Sequence, residues 1–169
     1  DRNGRMVQGV GYAADDFTNH AREFVDRNHA KPFFLLLAFN TPHSPMQAPD
    51  KWWARHAGRA PAQPGTDAAR EDERHTRAAL AMCENLDDNV GRLMRRISEC
   101  DLDRETIVVF FSDNGPNGHR WNGGMKGIKG STDEGGVRSP LLERWPGRVP
   151  AGAPVAPGRR PHHHDLVYG

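Results

Sequence analysis

The hydrophobic positions of the chain fall into blocks with different periods. In residues 15–29, Phe17, Ala21, Phe24 and Val25 recur at helical spacing behind Asp15-Asp16, an acidic pair that suits a helix start. Lys31-Pro32 ends that pattern, because a residue before proline is pushed out of the helical region. Phe33 to Phe39 (FFLLLAF) is then a continuous apolar run bounded by Pro and Asn. It predicts a strand buried on both faces, as in a parallel sheet. Residues 40–68 carry Pro42, Pro45, Pro49, Pro61 and Pro64 and read as a long irregular segment, a kind that is usually functional or disordered. From about Ala69 to Cys100 the helical period returns, with Leu80, Cys83, Leu86, Val90, Leu93 and Ile97 forming the predicted buried stripe. Thr106 to Phe111 (TIVVFF) is a second β-rich run, and it stops at Ser112-Asp113-Asn114-Gly115. Strand, long helix, strand predicts a βαβ unit with a right-handed crossover and an α/β fold class.

Composition narrows this picture. The 169 residues suit one domain with a buried core. With 23 Lys+Arg against 22 Asp+Glu, the net charge of +1 gives no electrostatic reason to expect nucleic acid or an anionic membrane as partner. No apolar run approaches the ~20 residues of a membrane span. The 18 glycines and 13 prolines imply that much of the chain is loop, most visibly in residues 113–136 and again from Trp145-Pro146-Gly147 to Arg160. Two cysteines exclude a disulfide framework. Cys83 and Cys100 fall on one predicted helix, roughly 25 Å apart at helical rise, and cannot bridge without breaking it. The chain begins at Asp1, with neither Met nor a signal peptide, which predicts that this is not a native start.

Three places carry candidate chemistry. Asp113-Asn114-Gly115 follows a predicted strand, and ligands in open parallel sheets bind outside the carboxyl ends of strands. A carboxylate beside a carboxamide offers hard oxygens suited to Ca²⁺ or Mg²⁺, although the same triplet is also a common turn. Thr41-Pro42-His43-Ser44-Pro45 places a histidine after the first predicted strand, its backbone stiffened by prolines. His43 reads either as a proton or hydrogen-bond donor or as a surface loop residue. Gly123 to Ser131, containing Lys126 and Lys129, joins glycines that admit a ligand to lysines that offer point charge to an oxyanion. It is neither a P-loop nor a dinucleotide fingerprint, and a flexible loop with solvated lysines is the plain alternative. His162-His163-His164 is a weak transition-metal candidate, and Trp52-Trp53 either line a pocket or anchor the proline-rich loop.

The order of these pieces is more specific than any one of them. Phe33-Phe34-Leu35 runs into Asn40-Thr41-Pro42-His43-Ser44-Pro45, and a helix with Asp87-Asp88 follows. Ile107 to Phe110 then leads into Ser112-Asp113-Asn114-Gly115, before Lys129-Gly130, Glu134-Gly135-Gly136-Val137-Arg138-Ser139-Pro140 and Arg144-Trp145-Pro146-Gly147. Over about residues 11–155 this succession resembles the type I sulfatases of the alkaline phosphatase superfamily. The resemblance implies part of a mixed, mostly parallel sheet sandwiched by helices, incomplete in this chain. It implies that Asp113 and Asn114 are calcium ligands, that Lys129 contacts the substrate sulfate, and that His43 hydrogen-bonds the sulfate or leaving oxygen. Glu134 to Arg138 is expected to be a turn returning the chain to the sheet, with no catalytic role for Arg138. The substrate class implied is a sulfate ester of a small molecule or glycan, and the usual setting of the family is periplasmic or secreted.

Departures from the family pattern shape the expectation further. The Cys/Ser-x-Pro-x-Arg motif that yields the formylglycine nucleophile does not occur, and Cys100-Asp101-Leu102-Asp103-Arg104 has Leu where that motif has Pro. The early Asp-Asp calcium pair and the upstream Gly-Lys-Trp-His segment are likewise missing, and Lys126 stands where many members have Arg. His164-Asp165-Leu166 resembles the start of the segment that leads into the family's smaller C-terminal domain. Residues 1–169 therefore read as a partial catalytic domain without nucleophile region or C-terminal subdomain, inactive alone. The alternatives are a phosphodiesterase or phosphonate hydrolase of the same superfamily, which more often carries Asp-His at Asp113-Asn114, and a non-catalytic truncated binding module.

Overall fold

The structure, a computed structural model, describes residues 3–152 and the backbone of 167–168. His162 to His164, Asp165 and Leu166 lie outside the described residues. The chain forms two units, one of residues 1–59 with 77–102 and one of residues 60–76 with 103–169.

The first unit is helical. Helix α1 (Ala13–Asn28) carries Asp15 and Asp16 in its first turn, where carboxylates favour the positive end of the helix dipole. Its buried face is Ala14, Thr18, Ala21 and Val25, while Phe17 is exposed. Phe24 meets Phe33 edge-to-face, with ring centroids 5.8 Å apart. The proline-rich segment holds a short helix, α2 (Asp50–His56), where an irregular stretch was expected. Trp52 on α2 is buried, with Lys51 and Arg55 over its ring, so it anchors the segment rather than lining an open pocket.

Helix α3 (Glu73–Glu99) buries part of the apolar stripe in the sequence, Leu86 and Ile97, with Val90 and Leu93 half-buried, but its covered face also takes in two asparagines. Leu80 and Cys83 are exposed, and the covered face runs through Ala78, Met82, Asn85, Leu86, Asn89 and Ile97. The reason is hydrogen bonding. Asp15 Oδ1 accepts from Asn85 Nδ2 at 2.9 Å and from Asn89 Nδ2 at 2.6 Å, and Asn89 Oδ1 accepts from Arg92 at 2.8 Å. Two buried carboxamides are thus satisfied, and a carboxylate on α1 specifies which face of α3 turns inward.

Residues 33–39 are extended but form no strand among the described residues, against the expectation of a buried β-strand. Their burial alternates. Phe33, Leu35, Leu37 and Phe39 are half-buried, whereas Phe34 and Leu36 are 86% and 71% exposed. One face of the run packs on the unit and the other has no covering layer, so a continuous apolar run yields a period-two pattern without a ladder.

The second unit is loop-rich around a small sheet. Strand β1 (Val108–Phe111) pairs antiparallel with β2 (Leu141–Arg144), with Val108 opposite Arg144 and Phe111 opposite Leu141. Strand β3 (Val167–Tyr168) joins β2 in parallel, in the order β1-β2-β3. The sheet is mixed, as expected, but its first pair is antiparallel and the predicted βαβ unit is not formed among the described residues. The single-turn helix α4 (Glu134–Val137) sets the direction: Asp133 O accepts from Gly136 N at 2.9 Å, and the chain reverses there into β2. The expected turn at Glu134 to Arg138 is this helix.

Candidate active site

The end of β1 is where the sequence-predicted ligands stand. Ser112, Asp113, Asn114 and Gly115 leave the strand as a bend, with Asp113 exposed and Asn114 half-buried. Two bonds fix the bend against the glycine-rich segment: Gly115 N donates to Gly136 O at 3.0 Å, and Ser139 Oγ donates to Ser112 O at 2.6 Å. A Cβ on Gly115 would lie inside the contact shell of the Gly135 carbonyl oxygen, so only glycine allows this approach.

Lys129 belongs to the same pile of loops. Its N–H donates to Pro116 O at 2.9 Å, which holds its backbone against the residue after Gly115. Gly130, at φ +91°, turns the chain immediately afterwards in a conformation that L side chains disfavour. Gly135 N donates to Lys126 O at 2.7 Å, and Asn122 Nδ2 donates to Met125 O and Gly127 O at 2.9 and 3.1 Å. Lys126 Nζ lies 3.3 Å from Asp133, so of the two lysines it is the one engaged in an ion pair. The Lys129 side chain is exposed. Asp113, Asn114 and Lys129 are therefore carried on one hydrogen-bonded loop assembly in the second unit.

His43 belongs to the first unit. It is exposed, its Nδ1 is 2.8 Å from the Ser44 carbonyl oxygen, and the Thr41–Pro42 and Ser44–Pro45 peptides beside it are cis. If Nδ1 carries the proton it donates to Ser44 O, which leaves Nε2 as an acceptor.

The donor set at Asp113-Asn114 fits a hard cation in kind, one carboxylate and one carboxamide at a strand end. It does not complete a shell. Calcium takes six to eight oxygens, and no cluster of three or more His, Cys, Asp or Glu suited to a metal occurs among the described residues.

A second feature of this unit had no signal in the sequence. A pocket of about 250 Å³ is lined by Arg70, Asp72, His75, Thr76, Asn117, Gly118, His119 and Arg120. Asp72 caps α3, its Oδ1 accepting from His75 N at 3.0 Å. Glu71 takes Gly65 N and Thr76 Oγ1, both at 2.9 Å, and Thr66 N donates to His119 O at 2.8 Å. Burial, and next the Arg120 guanidinium, hold the His75 imidazole below its usual range, against the opposing pull of Asp72.

Comparison with known proteins agrees with this architecture. The family model "Sulfatase" matches residues 2–168. The chain is 38% identical to human arylsulfatase A over 127 residues, covering 72% of this chain and 22% of that protein. It is 32% identical to mouse N-acetylgalactosamine-6-sulfatase over 145 residues, covering 80% of this chain and 24% of that one. The crystal structure of Ps i-CgsB in complex with k-i-k-neocarrahexaose superposes with a TM-score of 0.75 at 35% identity, over 89% of this chain and 32% of that one. The fold and the run of motifs define a sulfatase-type α/β domain, and the chain belongs to the sulfatase family. It spans between a fifth and a third of the length of these relatives.

Proposed function

We propose that these residues form part of the catalytic domain of a sulfuric ester hydrolase, contributing a cation-binding carboxylate and carboxamide, a sulfate-binding lysine and a hydrogen-bonding histidine. The observation that supports this most is the pairing of Gly115 N with Gly136 O and of Lys129 N with Pro116 O. Those bonds keep an ammonium group and two hard oxygen ligands on one rigid loop assembly at a strand end. Lys129 offers a point charge to the sulfuryl oxygens, where negative charge is held through the reaction. His43 would hydrogen-bond the sulfate or the leaving oxygen through Nε2, which donates there only in a ring protonated at both nitrogens, because Nδ1 is placed on Ser44 O. Asp113 and Asn114 would contribute to holding Ca²⁺, which when bound supplies charge neutralisation at the sulfate.

The nucleophile motif is not in this sequence, so hydrolysis is a property of a longer protein that carries it, and the 169 residues alone are expected to be inactive. The substrate class favoured is a sulfated sugar, by analogy with the relatives named for N-acetylgalactosamine-6-sulfate and solved with k-i-k-neocarrahexaose. The Asp-Asn pair favours a sulfatase over the phosphoester hydrolases of the superfamily. The test is Lys129→Ala in the full-length protein, assayed by release of inorganic sulfate. A fall in kcat/KM of about 10²–10³ is expected. Undiminished turnover would remove Lys129 from the site.

A further inference from the structure

Of the four Asn-Gly pairs in the chain, Asn114-Gly115, Asn117-Gly118 and Asn122-Gly123 lie in the second unit. Asparagine is a thermolabile residue, and a following glycine opens it to attack, because the next backbone nitrogen then meets no Cβ on its way to the carboxamide carbon. Independently of the hydrolase reading, we propose that Asn117-Gly118 is a site of spontaneous imide formation and deamidation, promoted by the Arg120 guanidinium, and that hydrogen bonds protect the pairs on either side of it.

The peptide that links the pair consists of the Asn117 carbonyl and the Gly118 N–H. Arg120 Nη2 donates to Asn117 O at 2.8 Å. When hydroxide takes the Gly118 proton, negative charge spreads onto that same oxygen, and a guanidinium already seated there stabilises it. Neither the Gly118 N–H nor the Asn117 carboxamide has a hydrogen-bond partner among the described residues, so neither must be released first. Asn117 is exposed, Gly118 stands at φ +112°, and the place a Cβ would take there is open space. The Gly118 nitrogen attacks Asn117 Cγ, the Cγ–Nδ2 bond breaks, and Nδ2 leaves as ammonia with a proton from water. Water then opens the cyclic imide. Opening at Cγ gives aspartate, and opening at the Asn117 main-chain carbonyl gives isoaspartate. Nothing is oxidised or reduced.

The other two pairs are built differently. Gly115 N donates to Gly136 O at 3.0 Å, and the Gly135 carbonyl crowds the place where a Cβ would stand. Asn114 O has a neutral partner, the Ser112 hydroxyl at 3.3 Å, in place of a guanidinium. Asn122 is 8% exposed, and its Nδ2 donates to Met125 O and Gly127 O. Its carboxamide cannot swing toward Gly123 N without losing both bonds. Reaction at Asn117 lands beside the candidate chemistry. Isoaspartate inserts a methylene into the main chain at the residue after Pro116, whose carbonyl holds Lys129 N. Aspartate adds a carboxylate to the pocket that His75 and Arg120 line.

The test is ageing of the full-length protein in mildly alkaline buffer, both folded and in urea, with each product assigned to its residue by peptide fragmentation in a mass spectrometer. Isoaspartate is told from aspartate by separate elution at equal mass. In the folded protein Asn117 is expected to convert at least about tenfold faster than Asn114 and Asn122, and in urea the three rates are expected to converge. Arg120→Gln is expected to slow Asn117 about tenfold in the folded protein and to leave its rate in urea unchanged. Equal rates at the three pairs in the folded protein, or a lead for Asn117 that persists in urea, would overturn the site. A folded Arg120→Gln protein that deamidates Asn117 at the wild-type rate would do the same. The wild-type comparison needs no variant, so the test stays open should Arg120→Gln fail to fold.

Discussion

The two units are held together by different physics. In the first, every buried apolar side chain among the described residues, from Ala14 and Val25 to Met82 and Ile97, is helical, and one carboxylate on α1 binds two asparagines on α3. In the second, the buried residues among those described are Thr76, Asn122, Gly135, Gly136 and Ser139, and the loops are tied to one another by backbone carbonyls and amides. Apolar burial tolerates approximate geometry; a lattice of loop hydrogen bonds does not. The candidate chemistry at Asp113, Asn114 and Lys129 lies in the second kind of unit, where backbone contacts fix the main chain that carries it.

Substitutions sharpen that contrast. Met82→Ala, which empties a fully covered position in the helical unit, is expected to cost about 2–5 kcal/mol in urea unfolding followed by circular dichroism. Gly115→Ala pushes a methyl group against the Gly135 carbonyl and is expected to cost about 1–3 kcal/mol in the same assay. If Gly115→Ala proved the costlier of the two, the helical core would not be the main source of stability. The smallest effect concerns pH. His75 has its pKa lowered in the native state, so below the ordinary imidazole value near 6.5 the unfolded chain takes up a proton that the folded chain resists. Stability present above that value is therefore lost as pH falls through the depressed one. Comparing melting temperatures at pH 7 and pH 5 should show a smaller acid loss in His75→Gln than in the wild type; an equal loss would place the pH sensitivity elsewhere.

The helices were legible because their signals are local. Asp15-Asp16 and the spacing of Ala21 and Val25 predict α1 directly, and the long α3 follows from its period. The buried face of α3 was legible only in part: Leu86 and Ile97 are on it, and its polar members are not apparent from period. Counting apolar positions selects Leu80 and Cys83, whereas Asn85 and Asn89 turn inward because a carboxylate 70 and 74 residues away satisfies them. The run at 33–39 reads as a strand on composition, but strand formation needs a pairing edge, which no local pattern reports. Asp113, Asn114 and Lys129 were found through the order of motifs and not through any one of them. The pocket escaped because His75 and Arg120 meet across 45 residues and neither neighbourhood is unusual by itself.

Phe34 and Leu36 have a consequence for handling the protein. An extended run of seven apolar residues, exposed on one face and outside any ladder of the described residues, presents free edge and sticky surface together. Such segments template one another across molecules, stacking into cross-β layers once concentration brings two of them into register. This stretch joins two of the more exposed large apolar side chains of the described residues, Phe34 and Leu36, in one extended segment. A lysine at position 36, on the uncovered face, is the economical way to raise the concentration at which it stays monomeric.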